Sequence, residues 1–452
     1  MIGEDGLSYP PVDKRICSDH VEIKQWKFEL PTKRLNILLV EPNYYTRYPP
    51  LGLLKLSAFH RNRGDFVSLV RFPEKPQEKP DLIYVTSLFT YAWQKVHDAV
   101  KYYKELFPNA PVVLGGIYAS LLPDHAASSG ADFVSCGVLS QLENIMPDYS
   151  IIKKWNWDSN IIFSSRGCVR QCGFCAVPIL EGKLTIRDKI SDLVDHSMKK
   201  IILWDNNILA AQNSRKVLEE LIDIGFEVDF NQGLDAKFIN SETVKMIRRL
   251  RTRQIRLAYD NSNNAGAIQN AINCLKVSDV PLRNVIVYTL FNYQDSPEDF
   301  LRRVTQLLQN GVVSYPMRYE PLCVLKKNEF IGPKWTPQKI DMVQRARRVI
   351  GYAGAFPPYK ALVEKIRRAK TIEEAFLLRP RLEEIRREIK GISETDAKLL
   401  YIYYKNRNLT TRDLPLVIAF RDLKSLETQS ILPVIPESKK KQKRLGGSSD
   451  WR

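Results

Sequence analysis

Between residues 35 and 140, short apolar runs alternate with stretches in which apolar residues recur every three or four positions. The runs lie at 35–40 (LNILLV), 66–70 (FVSLV), 82–87 (LIYVTS), 111–116 (PVVLGG) and 132–137 (DFVSCG), and 93–106 (WQKVHDAVKYYKEL) is one of the intervening helical patterns. Strand, helix, strand repetition predicts an α/β fold in which a parallel sheet carries helices on both faces, a Rossmann-like domain. Ligands of such sheets sit at the carboxyl ends of the strands. Here those ends carry 41–52 (EPNYYTRYPPLG), 87–91 and Gly115–Gly116, where missing side chains let a ligand approach the backbone; a tight strand-to-helix turn uses the same dipeptide. No G-x-G-x-x-G follows the first strand, so a nicotinamide or flavin dinucleotide is not indicated.

Residues 160–330 repeat the alternation. Candidate strands fall at 161–164, 200–204, 227–230, 254–258, 284–290 and 315–319, with helices starting near Arg187, Ser214, Ser241, Ala265 and Ser296. Ser241 and Ser296 read as N-caps, each followed by acids or proline in the first turn. Six strand-helix units predict a partial (β/α)6 barrel, whose active site lies at the carboxyl ends of the strands. Beyond residue 331 the pattern is helical and charged, as at 361–370 and 381–390. The expected organisation is an N-terminal extension (1–34), a Rossmann-like domain (35–150), the partial barrel (151–330), a basic helical C-terminal region (331–438) and a disordered basic tail (439–452).

The chain has 452 residues, and no stretch approaches eighteen uninterrupted apolar positions, so no membrane span is expected. Its start, MIGEDGLSYPPVDKR, lacks the positive beginning and apolar core of a signal peptide, which predicts a cytoplasmic protein. Net charge is +17, and residues 331–452 hold 27 Lys and Arg against 14 Asp and Glu. That imbalance points to a phosphate-rich partner such as a nucleic acid, with a merely solvated basic face as the alternative.

Three of the seven cysteines, Cys168, Cys172 and Cys175, fall in one short stretch, SSRGCVRQCGFCAVP, just after the first strand of the second unit. An odd, clustered set suits a reducing compartment and a metal or redox site. Structural zinc wants a second Cys/His pair, which the five histidines do not provide. A redox pair of Cys172 and Cys175 leaves Cys168 without a role. A [4Fe-4S] cluster uses all three and leaves one iron open to a substrate or cofactor.

C-x-x-x-C-x-x-C after the first strand of a barrel, with Phe174 before the last cysteine, resembles the signature of the radical S-adenosylmethionine (radical SAM) superfamily. The resemblance implies that S-adenosylmethionine chelates the open iron and that an electron, delivered by a donor such as flavodoxin or ferredoxin, cleaves it to methionine and a 5'-deoxyadenosyl radical. Trp204-Asp205-Asn206-Asn207 stands where relatives carry Gly-Gly-Glu, which makes Asp205 and Asn207 candidates for the methionyl amine, with helix capping as the alternative. Gln232, Asp235 and Lys237 resemble the segment facing the ribose and carboxylate. Asp260 and Asn261 stand where relatives often have Glu-Ser, and 288–300 (YTLFNYQDSPEDF) resembles the segment near the adenine.

A Rossmann-like domain ahead of such a barrel is similar to the cobalamin-binding subclass, on matches such as PPLGLLKLSAFHRNRG and VVLGGIYAS. That subclass can relay a methyl group through cobalamin bound in the N-terminal domain. The D-x-H-x-x-G that supplies an axial histidine is absent from 41–52, and members of the subclass both bind cobalamin without it and lack the cofactor altogether. His60, His97, His125 and His196 sit singly in helix-like stretches and read as surface or internally satisfied residues. Cys136 and Cys323, at strand ends, read as small buried residues or as radical or methyl carriers. Three functions stay open: a cobalamin-dependent methylase or other C-H functionalising enzyme, a cobalamin-free radical SAM enzyme modifying RNA through its basic C-terminal region, and a non-enzymatic iron-sulfur scaffold or sensor.

Overall fold

The computed structural model describes residues 24–376, 378, 385–386 and 391–406. Most of the expected helix at 381–390, most of the N-terminal extension and the whole basic tail lie outside the described residues. Two compact units divide between residues 371 and 372. The second holds the helices Ile372–Phe376 and Glu394–Asn406.

The first unit is mixed α/β with parallel sheets. Strands β1 (Asn36–Glu41), β2 (Phe66–Arg71), β3 (Leu82–Ser87), β4 (Val112–Gly116) and β5 (Phe133–Ser135) form a parallel sheet ordered β2-β1-β3-β4-β5. In β1, Ile37 and Leu39 pack in one cluster with Leu53 and Leu56 of the helix Leu51–Asn62. Leu38 and Val40 pack in another with Val96, Ala99 and Tyr103 of the helix Trp93–Leu106. A strand covered on both faces reads as an unbroken apolar run, which is why LNILLV does not alternate.

Six further parallel strands follow one another in chain order. They are β6 (Ser159–Ile162), then, after the short antiparallel hairpin β7 (Ser165–Arg166) and β8 (Thr185–Ile186), β9 (Lys200–Leu203), β10 (Glu227–Phe230), β11 (Ile255–Ala258), β12 (Val285–Phe291) and β13 (Val313–Arg318). Ladders join β10-β9-β6 and β11-β12-β13, and isolated parallel bridges Glu227↔Arg251 and Leu234↔Leu257 connect the two sets. On one face Ile201, Leu203, Val228, Ile255, Leu257, Val285 and Val287 share a core with Val217, Leu221, Val244, Ile247, Ile268 and Leu275 from the helices Ser214–Ile224, Ser241–Arg249 and Ala265–Val277. On the other, Ile161 and Ile202 are packed by Tyr48 and Leu51, ahead of and at the start of the helix Leu51–Asn62.

Several expectations need correction. No helix starts near Arg187, because Asn213 Nδ2 donates to Arg187 O (2.6 Å) and the Glu220 carboxylate accepts from Ile190 N and Ser191 N, holding the chain open. The β6-to-β9 connection therefore carries a hairpin and the four-residue helix Val177–Leu180 in place of a long helix. Asn240, not Ser241, caps the helix Ser241–Arg249, accepting from Thr243 N at 2.9 Å. Ser296 does cap Pro297–Gln309, accepting from Asp299 N. His97 and His125 are internally satisfied, as expected, their Nε2 and Nδ1 lying 2.8 and 2.6 Å from the Tyr118 hydroxyl. Buried His60 bridges Asp65 and Tyr84. Among the described residues no helix is long and apolar enough to cross a membrane.

Candidate cluster and cofactor site

The β7/β8 hairpin pinches residues 167–184 into a loop that carries all three clustered cysteines. Gly167 opens it at φ +75°, and a Cβ there would lie 2.3 Å from Lys183 O, so only glycine fits. Arg166 donates from Nε and one Nη to the two Glu143 oxygens (2.8 and 2.9 Å) and from the other Nη to Glu181 Oε1 (3.2 Å). Glu181 Oε2 also accepts from Gly167 N (2.8 Å) and Asn206 Nδ2 (2.9 Å). The loop base is thus braced by carboxylates on both sides. None of Arg166, Glu143 and Glu181 stands out in the sequence, since each is one charged residue among many.

Cys175 N donates to Cys172 O (3.0 Å), and Arg170 N points at Cys168 Sγ (3.4 Å), so the run turns tightly. The three thiols are only partly exposed. Burial pushes the Cys172 thiol up to about 11, with Asp260 and the other two thiols adding to the effect. Burial also raises Cys175. Thiols so placed give up their protons to a ligand that brings positive charge, and an iron-sulfur core does so.

Around this loop the fold gathers four of the expected site residues, Phe174, Asn207, Asp235 and Asp260. Asp235, the cap of a short turn through Lys237 N (3.1 Å), accepts from an Arg170 Nη (2.7 Å) and from Asn207 Nδ2 (3.0 Å). Asn207 is buried, and its Oδ1 has no hydrogen-bond partner. Arg170, between two of the cysteines, links the loop to Asp235, and its position inside the motif was the signal that could have singled it out. Phe174 meets Tyr293 edge to face at 5.6 Å, which brings the loop against the segment following β12. Asp260 sits two residues beyond β11, its carboxyl pushed up to about 6 by burial against the pull of Arg303 and Arg170.

Other expected residues have local work. Asp205, almost fully buried, accepts from Ser164 N (3.0 Å) and from the Ser164 and Ser165 hydroxyls (2.6 Å each), tying the end of β9 to the start of the loop. Asn261 accepts from Asn263 N, capping its own turn. Gln232 and Lys237 are exposed. Gly116, at φ +103°, could not take a Cβ, which would fall 2.1 Å from Ser87 O, so its close approach is to β3 itself, while a Cβ on Gly115 would meet Ser135 of β5 at 3.5 Å.

Two cofactors can be weighed against these residues. Among the described residues, no three His, Cys, Asp or Glu side chains converge on a point fit for a single metal ion. A [4Fe-4S] core places each thiolate on its own iron and needs no such convergence, and an all-sulfur donor set on one loop is chemically suited to it. The orphaned Asn207 oxygen is a fit for an ammonium donor such as that of S-adenosylmethionine. The cobalamin position fits less well. In a β2-β1-β3-β4-β5 sheet the ligand crevice opens beside the ends of β1 and β3. There Thr90 Oγ1 donates to Val324 O (2.7 Å), Lys327 Nζ lies 5.1 Å over the Tyr91 ring, and Cys323 and Leu325 pack on the same cluster as Tyr44 and Phe72. Chain residues 323–327 thus cover the crevice that a corrin would need. Cys136, on the same cluster, accepts from Gln25 Nε2 at 3.5 Å.

No family model matches the chain, and no curated protein matches it. Among solved structures it is similar to an apo form of the cobalamin-dependent S-adenosylmethionine radical enzyme OxsB, at 12% identity and a TM-score of 0.44, over 89% of this chain and 76% of that one. It is also similar to coproporphyrinogen III oxidase (HemN) from Escherichia coli, a radical SAM enzyme, at 10% identity and a TM-score of 0.32, over 46% of this chain and 57% of that one. At these identities neither likeness assigns a role to a residue, and the chemistry rests on the atoms of the site.

Proposed function

We propose that the chain is a radical SAM enzyme that works without cobalamin. One observation carries the reading: three thiols lie on one carboxylate-braced loop at the carboxyl end of β6, beside a buried acceptor, Asn207 Oδ1, that has no donor. The six parallel strands in chain order are read as the partial barrel, and Cys168, Cys172 and Cys175 as ligands of a [4Fe-4S] cluster. When bound, cluster and S-adenosylmethionine supply a reductively generated 5'-deoxyadenosyl radical that takes hydrogen from a substrate C-H bond.

The chain's residues position these groups. Asn207 Oδ1 accepts from the methionyl ammonium, and Asp235 keeps the Asn207 amide turned so that this oxygen faces inward. Arg170, held by Asp235, keeps one positive charge beside the thiols and favours their ionised form. Phe174 and Tyr293 give the adenine an aromatic wall that also keeps water from the radical. A reducing compartment such as the cytoplasm, with flavodoxin or ferredoxin as electron donor, completes the reading.

Anaerobic reconstitution tests it. The wild-type protein should take up about four irons, absorb near about 400 nm and form 5'-deoxyadenosine from S-adenosylmethionine, and Cys172→Ala should lose all three properties. Full cleavage by Cys172→Ala would refute the assignment, and iron uptake with no cleavage by the wild type would leave the scaffold or sensor reading in its place.

A further inference from the structure

On the side of β11–β13 turned away from the helices, the strands are only partly covered. Burial along β12 alternates, with every second residue only half-buried, and in β11 and β13 Ala258 and Met317 are exposed. Tyr288 and Tyr315, paired across β12 and β13, stand there with ring centroids 5.5 Å apart. Arg256 lies one inward position before Ala258 and is ion-paired with Asp229. The Arg347 guanidinium carbon lies 4.9 Å over the Tyr315 ring.

From Tyr315 the contacts lead outward through Arg347. Arg347 Nε donates to Gly354 O (2.8 Å) in a tight turn, and Phe356 after that turn pairs with Ser314 of β13 through hydrogen bonds of 3.0 and 2.7 Å. Tyr352 in the turn is 63% exposed and Tyr359 just beyond it 61%. Arg348 and Lys360 are exposed beside them. Residues 337–370 hold nine Lys and Arg against two acids; Lys339 pairs with Glu298, and Arg367 and Arg368 share Glu364. Exposed flat rings beside the exposed cations Arg348 and Lys360 match a chain of phosphates carrying unstacked bases.

We propose that this surface binds single-stranded RNA. Phosphates follow Arg347, Arg348 and Lys360, bases stack on Tyr352 and Tyr359, and one nucleotide reaches Tyr315 and Tyr288. Asp229, whose side chain is 34% exposed, offers an acceptor at the inner end for a 2'-hydroxyl, which DNA lacks. That the inner nucleotide is the substrate rests on the radical reading: Ala258, paired with Tyr288, is two residues from Asp260 beside the thiol loop.

Fluorescence anisotropy on the full-length protein tests the surface, with a labelled single-stranded RNA of about 12 nucleotides, the matching DNA, the RNA duplex and heparin as a base-free polyanion. RNA should bind more tightly than the other three. Tyr352→Ala with Tyr359→Ala should weaken RNA binding roughly tenfold or more with little change in heparin binding. Arg348→Gln with Lys360→Gln should flatten the dependence of log K on log salt by roughly 0.7 for each phosphate that the variant no longer neutralises. RNA bound no better than duplex or heparin, or with no dependence on the two tyrosines, would overturn the surface, and equal binding of DNA would overturn the choice of RNA. Cys172→Ala should bind RNA as the wild type does. RNA binding by a wild type that forms no 5'-deoxyadenosine would therefore sink the radical reading and leave this surface standing.

Discussion

Arg303→Met removes the guanidinium that ties β11, β12 and the helix Pro297–Gln309 together. Arg303 is wholly buried and donates to Asp299 Oδ2 (2.9 Å), Asp295 Oδ2 (2.8 Å), Tyr259 O (2.7 Å) and Leu290 O (2.9 Å). Methionine keeps the apolar stem and removes all four donors. Asp299 retains Arg302 and Ser262, so the loss falls chiefly on Asp295, whose side chain is 5% exposed and which keeps Tyr293 N and the Trp335 indole. Breaking a buried pair costs about 3–5 kcal/mol, and at roughly 2 °C per kcal/mol for a domain this large the melting temperature should fall by about 6–10 °C at about pH 8. Burial already pushes Asp295 up to about 6 although Arg303 pulls it down, and losing Arg303 raises it further. A carboxyl with a raised folded pKa contributes stability that is present at low pH and lost as pH rises through that pKa. The deficit of the variant should therefore shrink by about half or more between pH 8 and pH 5.5, as Asp295 takes up its proton. Thermal unfolding of wild type and variant at both pH values measures it. A shift under about 2 °C, or a deficit that grows on acidification, would refute this reasoning.

Reconstitution in the presence of hydroxocobalamin, followed by desalting, should yield iron without cobalt, because residues 323–327 cover the crevice; stoichiometric cobalt would show that this segment moves aside. Asn207→Leu should weaken S-adenosylmethionine binding roughly tenfold in equilibrium dialysis while keeping full iron content, since it removes an acceptor and no thiol. Gly167→Ala should lower iron per chain by half or more, as the added carbon meets Lys183 O; normal iron uptake would show that the hairpin tolerates a shift.

The strands were legible because each is covered on at least one face, so burial wrote itself into composition. β3 and β10 lie where the pattern placed them, the other expected strands differ by one or two residues at their ends, and the two-residue strands β7 and β8 were not expected. The false helix near Arg187 shows what local pattern misses: Asn213 and Glu220, more than twenty residues away in sequence, hold that backbone open. The cysteines announced themselves by spacing alone. The brace of Arg166, Glu143 and Glu181 did not, since Glu143 lies in the N-terminal part and reaches the loop only through the fold. The aromatic and basic surface was half legible: the charge imbalance was plain, whereas the meeting of Tyr288, Tyr315 and Arg347 depends on strand register and on the turn at residues 352–355.

That brace also gives the N-terminal sheet a structural part in the thiol loop. Glu143 follows the last strand of that sheet and fixes Arg166 at the loop base, while Lys55 of the helix Leu51–Asn62 donates to Leu142 O and Glu143 O (3.1 Å each) and fixes Glu143 in turn. Burial drops the Lys55 amine to about 8, against the pull of Glu143, so it is held there at some cost to stability. Tyr48 and Leu51 cover Ile161 and Ile202 on the open side of β6 and β9. The start of the helix Leu51–Asn62 and the residues ahead of it thus cover one half of that strand face, and Glu143 steadies the thiol loop; under the proposed function the β11–β13 half, with its tyrosines, is the side from which a substrate would reach the site.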